Sequence, residues 1–217
     1  MNFKRIKNVK NTKMLFIIAC EGAVTEHSYF DAIVKELIAS NKILPESIVL
    51  ITDIKNKHTN PSGVLYDLLN YEHNNKKNGM AYTYKDFDEK WIVIDRDEKM
   101  TGGGGHDLAD FNNALSNSEK ENVSVAWSNP CFEIWFLLHF DYIITPFNRV
   151  AVFQKLKERF PEYEKNNKNT YTLLKDKTTL AIRYAKKLEN ENIEKNAADS
   201  NPGTMVHKLV EKLLSQN

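Results

Sequence analysis

The stretch Lys90-Trp-Ile-Val-Ile-Asp-Arg-Asp-Glu98 decides the fold. An unbroken apolar run ends in acids, the pattern of a strand covered on both faces and stopped where the chain meets water. Upstream, Met14-Leu-Phe-Ile-Ile-Ala-Cys20 repeats the pattern and stops at Glu21-Gly22. Ser47–Ile54, containing Ile48 to Ile51, reads as another strand, and Asn122–Trp127, with Val123 and Val125 alternating, as a further one. Helical spacing fills the gaps. Tyr29, Phe30, Ile33, Val34 and Leu37 share a face over Thr25–Ser40, and His106–Lys120 is compatible with a helix. Val64, Leu65, Leu68 and Leu69 follow Asn60-Pro61, a capping residue and a first-turn proline. Strands alternating with helices predict an α/β fold with a mostly parallel sheet over residues 14–127. From Asn129 onward the pattern turns helical. Pro130–Phe140 is apolar on nearly every side and predicts a central buried helix. Val150–Phe160, Thr179–Glu189 and Thr204–Leu214 predict more helices, so residues 128–217 form a helical region packed on the core. Residues 1–13 read as a basic, mobile tail, and the Asn- and Lys-rich segments near 72–78, 163–170 and 190–201 as loops.

Composition narrows the function classes. A chain of 217 residues can bury a core without staples, and 30 Lys+Arg against 29 Asp+Glu exclude a strong global field for nucleic acid or membrane. Two cysteines, Cys20 and Cys131, exclude a disulfide framework; their apolar surroundings predict buried, reduced thiols. No apolar run reaches the roughly 18 residues of a membrane span. The basic start followed by Met14–Cys20 mimics a signal peptide, but the run is short and ends at Glu21, so a buried strand and a cytoplasmic protein are expected.

Two predicted strands end in acids: Glu21 on the first, and Asp95, Asp97 and Glu98 on the third. In an open parallel sheet the carboxyl ends of the strands share one edge, where ligands bind. Carboxylates converging there repel one another unless a cation sits among them. Oxygen donors without a His/Cys set predict Mg²⁺ or Mn²⁺, and a carboxylate-held Mg²⁺ at a sheet edge serves phosphoryl chemistry. Acids at strand ends also serve turn geometry alone. Glu26, in the first turn of the next helix, is either a further carboxylate around the metal or a complement to the helix dipole. Arg96 points away from its neighbours, toward a helix carboxylate or a phosphate. In Ser128-Asn-Pro-Cys-Phe-Glu133, Asn129 is expected to cap the apolar helix, Pro130 to start it and Glu133 to lie one turn in. Buried unpaired, that carboxylate costs several kcal/mol, so it needs a metal, an Arg or helix-start amides. His139 reads as a satisfied core histidine. Thr101-Gly-Gly-Gly-Gly-His106 lacks the Gly-Lys-Ser/Thr ending of a phosphate loop and reads as a flexible loop beside the acids.

Cys20-Glu-Gly-Ala-Val-Thr-Glu-His-Ser-Tyr-Phe30, Asp95-Arg-Asp-Glu98, Ser128-Asn-Pro-Cys-Phe-Glu-Ile-Trp-Phe-Leu-Leu-His-Phe140 and Asn201-Pro-Gly-Thr-Met-Val206 together resemble the signature blocks of the RloB family, in order. The resemblance implies a Toprim-like core. It implies a setting beside restriction-modification or abortive-infection genes, often with an ATPase partner. In Toprim domains a Glu after the first strand and an Asp-x-Asp after a later one bind Mg²⁺, which by motif position are Glu21, Asp95 and Asp97. Ala23 and Val24 stand where the family often has Glu and Lys, and the Gly102–Gly105 run looks like an insertion; neither removes a ligand. The expected function is Mg²⁺-dependent nuclease activity, cleavage of a DNA or RNA phosphodiester, in antiviral defence. The metal ligands would be Glu21, Asp95 and Asp97, with Glu26 and Glu98 as further candidates and Arg96, Asn129 and Glu133 around them. Glu21 is alternatively a general acid/base. The rival readings are an aspartate-dependent phosphatase or phosphotransferase with Asp95 as nucleophile, and a non-catalytic metal-binding adaptor of a defence ATPase.

Overall fold

Strand β1 (Phe16–Cys20) is buried from end to end. Its residues alternate between two apolar clusters. Phe16, Ile18 and Cys20 enter one, and Ile17 and Ala19 the other. In β5 (Glu89–Asp95), Trp91 and Val93 enter the first cluster and Ile92 and Ile94 the second. A run apolar at every position is what a strand needs when helices cover both faces. The computed structural model describes residues 14–51, 58–75, 80–98, 105–165 and 167–216. The expected basic tail and most of the glycine run lie outside these residues, as do Thr52–Ile54 of the expected second strand.

The sheet order is β2-β1-β5-β6-β7, with β2 at Ile48–Ile51, β6 at Ser124–Asn129 and β7 at Gly203–Thr204. β1 is parallel to both β2 and β5, β5 is parallel to β6, and β7 runs antiparallel to β6. Helix α1 (Thr25–Ala39) leads from β1 to β2, and the chain then returns through α2 (Pro61–Leu69) to β5 on the other side of β1. The direction of winding therefore reverses between β1 and β5. Such a switch point opens a crevice at the carboxyl ends of the strands. The register places Cys20 opposite Val93, so Glu21 and Asp95 emerge side by side.

Helices α2 and α3 (Leu108–Lys120) contribute Val64, Leu65, Leu68, Phe111 and Ala114 to one face. The other face carries α1 and α4 (Glu133–Leu137), with α5 (Arg149–Arg159), α6 (Thr170–Leu174), α7 (Thr178–Glu191) and α8 (Val206–Leu214) adding to the same cluster. Tyr29 of α1 meets Phe30, Phe132, Trp135, Phe136 and Tyr171 with ring centroids 5.5–6.5 Å apart, mostly edge to face. The helical region also adds strand β7 to the sheet.

Three local expectations are corrected. The long helix over Pro130–Phe140 is instead the short α4, because Ser128 and Asn129 still belong to β6, paired with Thr204 and Gly203. The segment is nonetheless buried, with Ile134 to His139 all 0% exposed, so its apolarity reports burial rather than helix length. Asn129 caps no helix; its Nδ2 donates to the carbonyls of Ala197 and Ala198 at 3.3 and 2.8 Å. The stretches read as loops near 72–78 and 163–170 hold part of an antiparallel hairpin, β3 (Glu72–Asn75) with β4 (Met80–Thr83), and the start of α6.

Candidate metal centre

Strand parity aims the acids. Asp95 continues the face of Trp91 and Val93, toward α1 and α4, while Arg96 turns to the face of Ile92 and Ile94. Glu21 follows β1 directly, and its amide donates to the Val93 carbonyl at 2.9 Å. Its Oε2 accepts from the Asp95 amide at 3.1 Å, while Oε1 lies 2.6 Å from His106 Nε2. That carboxylate raises the imidazole above its ordinary pKa. The His106 amide in turn donates to the Asp97 carbonyl at 2.8 Å, in a bridge that pairs Glu98 with His106.

Asp95 is 5% exposed. Its carboxyl accepts from the backbone amide of Phe132, but Oδ1 is buried without a hydrogen-bond partner. Burial, and then the charges of Glu26, Glu21 and Glu133, push this carboxyl well above the usual range. Glu26 comes from the first turn of α1 and lies over Gly22, where an added Cβ would sit 1.6 Å from its Oε2. Glu133, 2% exposed at the start of α4, accepts from the Tyr163 hydroxyl at 2.9 Å; burial of the tyrosine, and then the Glu133 charge, raise the tyrosine pKa. Asp97 is 6% exposed and ion-paired with Arg149, the first residue of α5.

Glu26, Glu21 and Glu133 therefore bear electrostatically on Asp95. Asp97 is not among these groups, its carboxylate being paired with Arg149, and the other expected residues do not join them either. Glu98 is exposed. The helix-carboxylate pairing expected of Arg96 is absent at its buried Nε and Nη1, which make no hydrogen bond. Asn129 serves the fold. The sequence reading missed His106, Arg149 and Tyr163, which lie 85, 52 and 30 residues from the carboxylates they bind. No local spacing records such contacts.

The donors fit a hard divalent cation: they are carboxylate oxygens, buried and mutually repelling, with one buried oxygen unpartnered. Among the described residues, no three His, Cys, Asp or Glu side chains are already drawn together as a ligand set. Glu21 is turned to His106, Asp97 to Arg149 and Glu133 to Tyr163.

A family model for RloB-like protein matches residues 16–213. No curated protein and no solved structure matches the chain.

Proposed function

We propose that this chain, which belongs to the RloB-like family, is a Mg²⁺- or Mn²⁺-dependent nuclease acting in the cytoplasm in anti-phage defence, as effector of an ATPase-coupled abortive-infection system. The observation that carries this reading is the Asp95 carboxyl, buried at the β1/β5 switch point with Oδ1 unpartnered and other carboxylates bearing on it. An acid after the first strand beside an Asp-x-Asp after its neighbour also supports the Toprim-like reading of the sheet.

Glu21, Asp95 and Asp97 would hold the ion, with Glu26 behind Gly22. A divalent ion held there would supply Lewis acidity, making a water easier to deprotonate and stabilising charge on a phosphoryl oxygen. The chain's own residues set the surroundings. His106 holds a proton at Nε2 against Glu21, which keeps that carboxylate oriented toward β5. Tyr163 fixes Glu133 so that its charge bears on Asp95 from the helical side. Hydrolysis adds water across a P–O bond: the water oxygen joins phosphorus, and the departing oxygen takes up a proton.

The phosphatase reading is less favoured, because Glu98 and Lys99 follow Asp97 where such enzymes carry a short apolar-Thr pattern. Purified protein would be incubated with single- and double-stranded DNA and RNA, in Mg²⁺, Mn²⁺ or chelator, with and without the product of the neighbouring gene. Metal-dependent strand cleavage, lost in Asp95→Asn/Asp97→Asn, supports the nuclease. Metal-insensitive binding to an ATPase without cleavage supports the adaptor. A trapped phosphoryl-aspartate supports the phosphatase.

A further inference from the structure

Beside Asp97 lies a cavity of about 130 Å³ whose lining includes Glu98, Phe147, Asn148, Arg149 and Asn201. A single water needs on the order of 15 Å³, so a phosphate with part of its hydration fits. The walls are fixed independently of any ligand. Asn201 exchanges two hydrogen bonds with the backbone of Phe147, its Oδ1 accepting at 3.1 Å and its Nδ2 donating at 2.8 Å. The Asn148 side chain accepts from the Ala151 amide at 2.9 Å and caps α5, which sets Arg149 at the first helical position. The Phe153 ring lies 5.9 Å from the guanidinium carbon. Arg149 is 30% exposed at its side chain, whereas the Asp97 carboxylate it binds is 8% exposed. A guanidinium carries five N–H donors in a planar fork that matches phosphate oxygens, and the bond to Asp97 engages only part of it.

We propose that Arg149 is the phosphate-binding residue of this site, and that its ion pair with Asp97 holds the place of the divalent ion until metal and substrate arrive together. The inference rests on the reading of Asp97 as a metal ligand. One carboxylate cannot give its full charge to both a guanidinium and a divalent cation. When Asp97 turns to the ion, the guanidinium is left in the cavity with unfilled donors. A backbone phosphate of the substrate satisfies them.

Two linked effects follow. Arg149 competes with free metal, and a phosphodiester relieves that competition. By reciprocity, the substrate tightens the metal as much as the metal tightens the substrate. The test is calorimetric titration of Mn²⁺ into wild type, Arg149→Gln and Arg149→Lys, with and without a thymidine dinucleotide phosphorothioate. Wild type is expected to bind Mn²⁺ roughly tenfold more tightly when the dinucleotide is present. Arg149→Gln binds Mn²⁺ more tightly than wild type without the dinucleotide and shows no further gain with it. Arg149→Lys keeps the charge and the weak metal binding but loses most of the linkage, because an ammonium lacks the planar fork. Should Arg149→Gln fail to fold, Arg149→Lys carries the test through the linkage alone. Wild-type Mn²⁺ binding that is unchanged in Arg149→Gln, or linkage that persists in either variant, overturns the inference and leaves the metal site standing. A wild type that binds no Mn²⁺ overturns both.

Discussion

At the residue scale, the proposed centre is a set of carboxylates whose repulsion the folded protein must tolerate. Asp95 faces Glu26, Glu21 and Glu133. Asp95→Asn keeps the shape and removes the repulsion, so in chelator it should raise stability by about 1 kcal/mol while eliminating Mn²⁺ binding. Urea denaturation and calorimetry on the same preparation check both halves. A less stable Asn variant would mean that the carboxyl is held by something other than its acidic neighbours. Glu133 and Tyr163 form a buried donor–acceptor pair that separates packing from charge. Glu133→Gln retains an acceptor oxygen and should change stability by less than about 1 kcal/mol, whereas Tyr163→Phe strands a buried carboxylate and should cost about 1–3 kcal/mol. Denaturant midpoints rank the two, and the reverse order would refute this account of the bond.

At the scale of elements, two glycines set how closely pieces of chain approach. At Gly203 in β7, an added Cβ would lie 2.4 Å from the Ser200 carbonyl oxygen and 2.9 Å from the Trp127 ring. Backbone cannot step aside without disturbing the β6–β7 pair and the Asn201 corner beside it. At Gly22 the nearest atoms belong to the end of the Glu26 side chain, which can swing. Gly203→Ala should therefore cost about 2–3 kcal/mol and Gly22→Ala about 1 kcal/mol. The Gly22 variant should instead show its main effect in Mn²⁺ affinity, because the displaced group is a carboxylate of the centre. Thermal melts with and without Mn²⁺ separate the cases. Short elements also explain where the sequence reading misplaced boundaries. β6 runs two residues past Trp127 because β7, 76 residues downstream of Ser128, pairs with its end. A partner that distant leaves no periodicity in the local sequence.

At the scale of the whole molecule, α4 and its flanks form a buried hub between the sheet and the later helices, and His139 is part of it. Its Nδ1 donates to the Trp135 carbonyl at 2.9 Å, and its Nε2 is buried without a hydrogen-bond partner. Burial lowers its pKa from 6.5 to about 4. The unfolded chain therefore takes up a proton below pH 6.5 that the folded protein refuses until about pH 4. Above pH 6.5 both states are neutral and the residue adds no pH dependence; as pH falls through this window stability is lost, by roughly 3 kcal/mol in total. His207, also lowered by burial, adds a loss of the same sign. Asp95 and His106, whose raised pKa values act in the opposite sense, are common to both proteins, so from pH 7 to pH 4 the urea midpoint of wild type should fall relative to that of His139→Leu. An equal slope in both would remove His139 from the acid limb.

The class of fold and the acids at the strand ends are legible along the chain. Runs such as Trp91–Ile94 are apolar at every position because both faces of their strands are covered, a property of neighbouring residues that can be read along the chain. Parity then placed Asp95 and Arg96 on opposite faces before any tertiary contact was known. What each acid meets is set by packing in three dimensions. His106 on Glu21, Arg149 on Asp97, Tyr163 on Glu133 and the unpartnered Oδ1 of Asp95 follow from packing between distant segments. So does the fate of Asn129, whose pattern suits a helix cap but whose side chain ties β6 to the carbonyls of Ala197 and Ala198. Electrostatic energy depends on distance through space, and separation along the chain does not specify it.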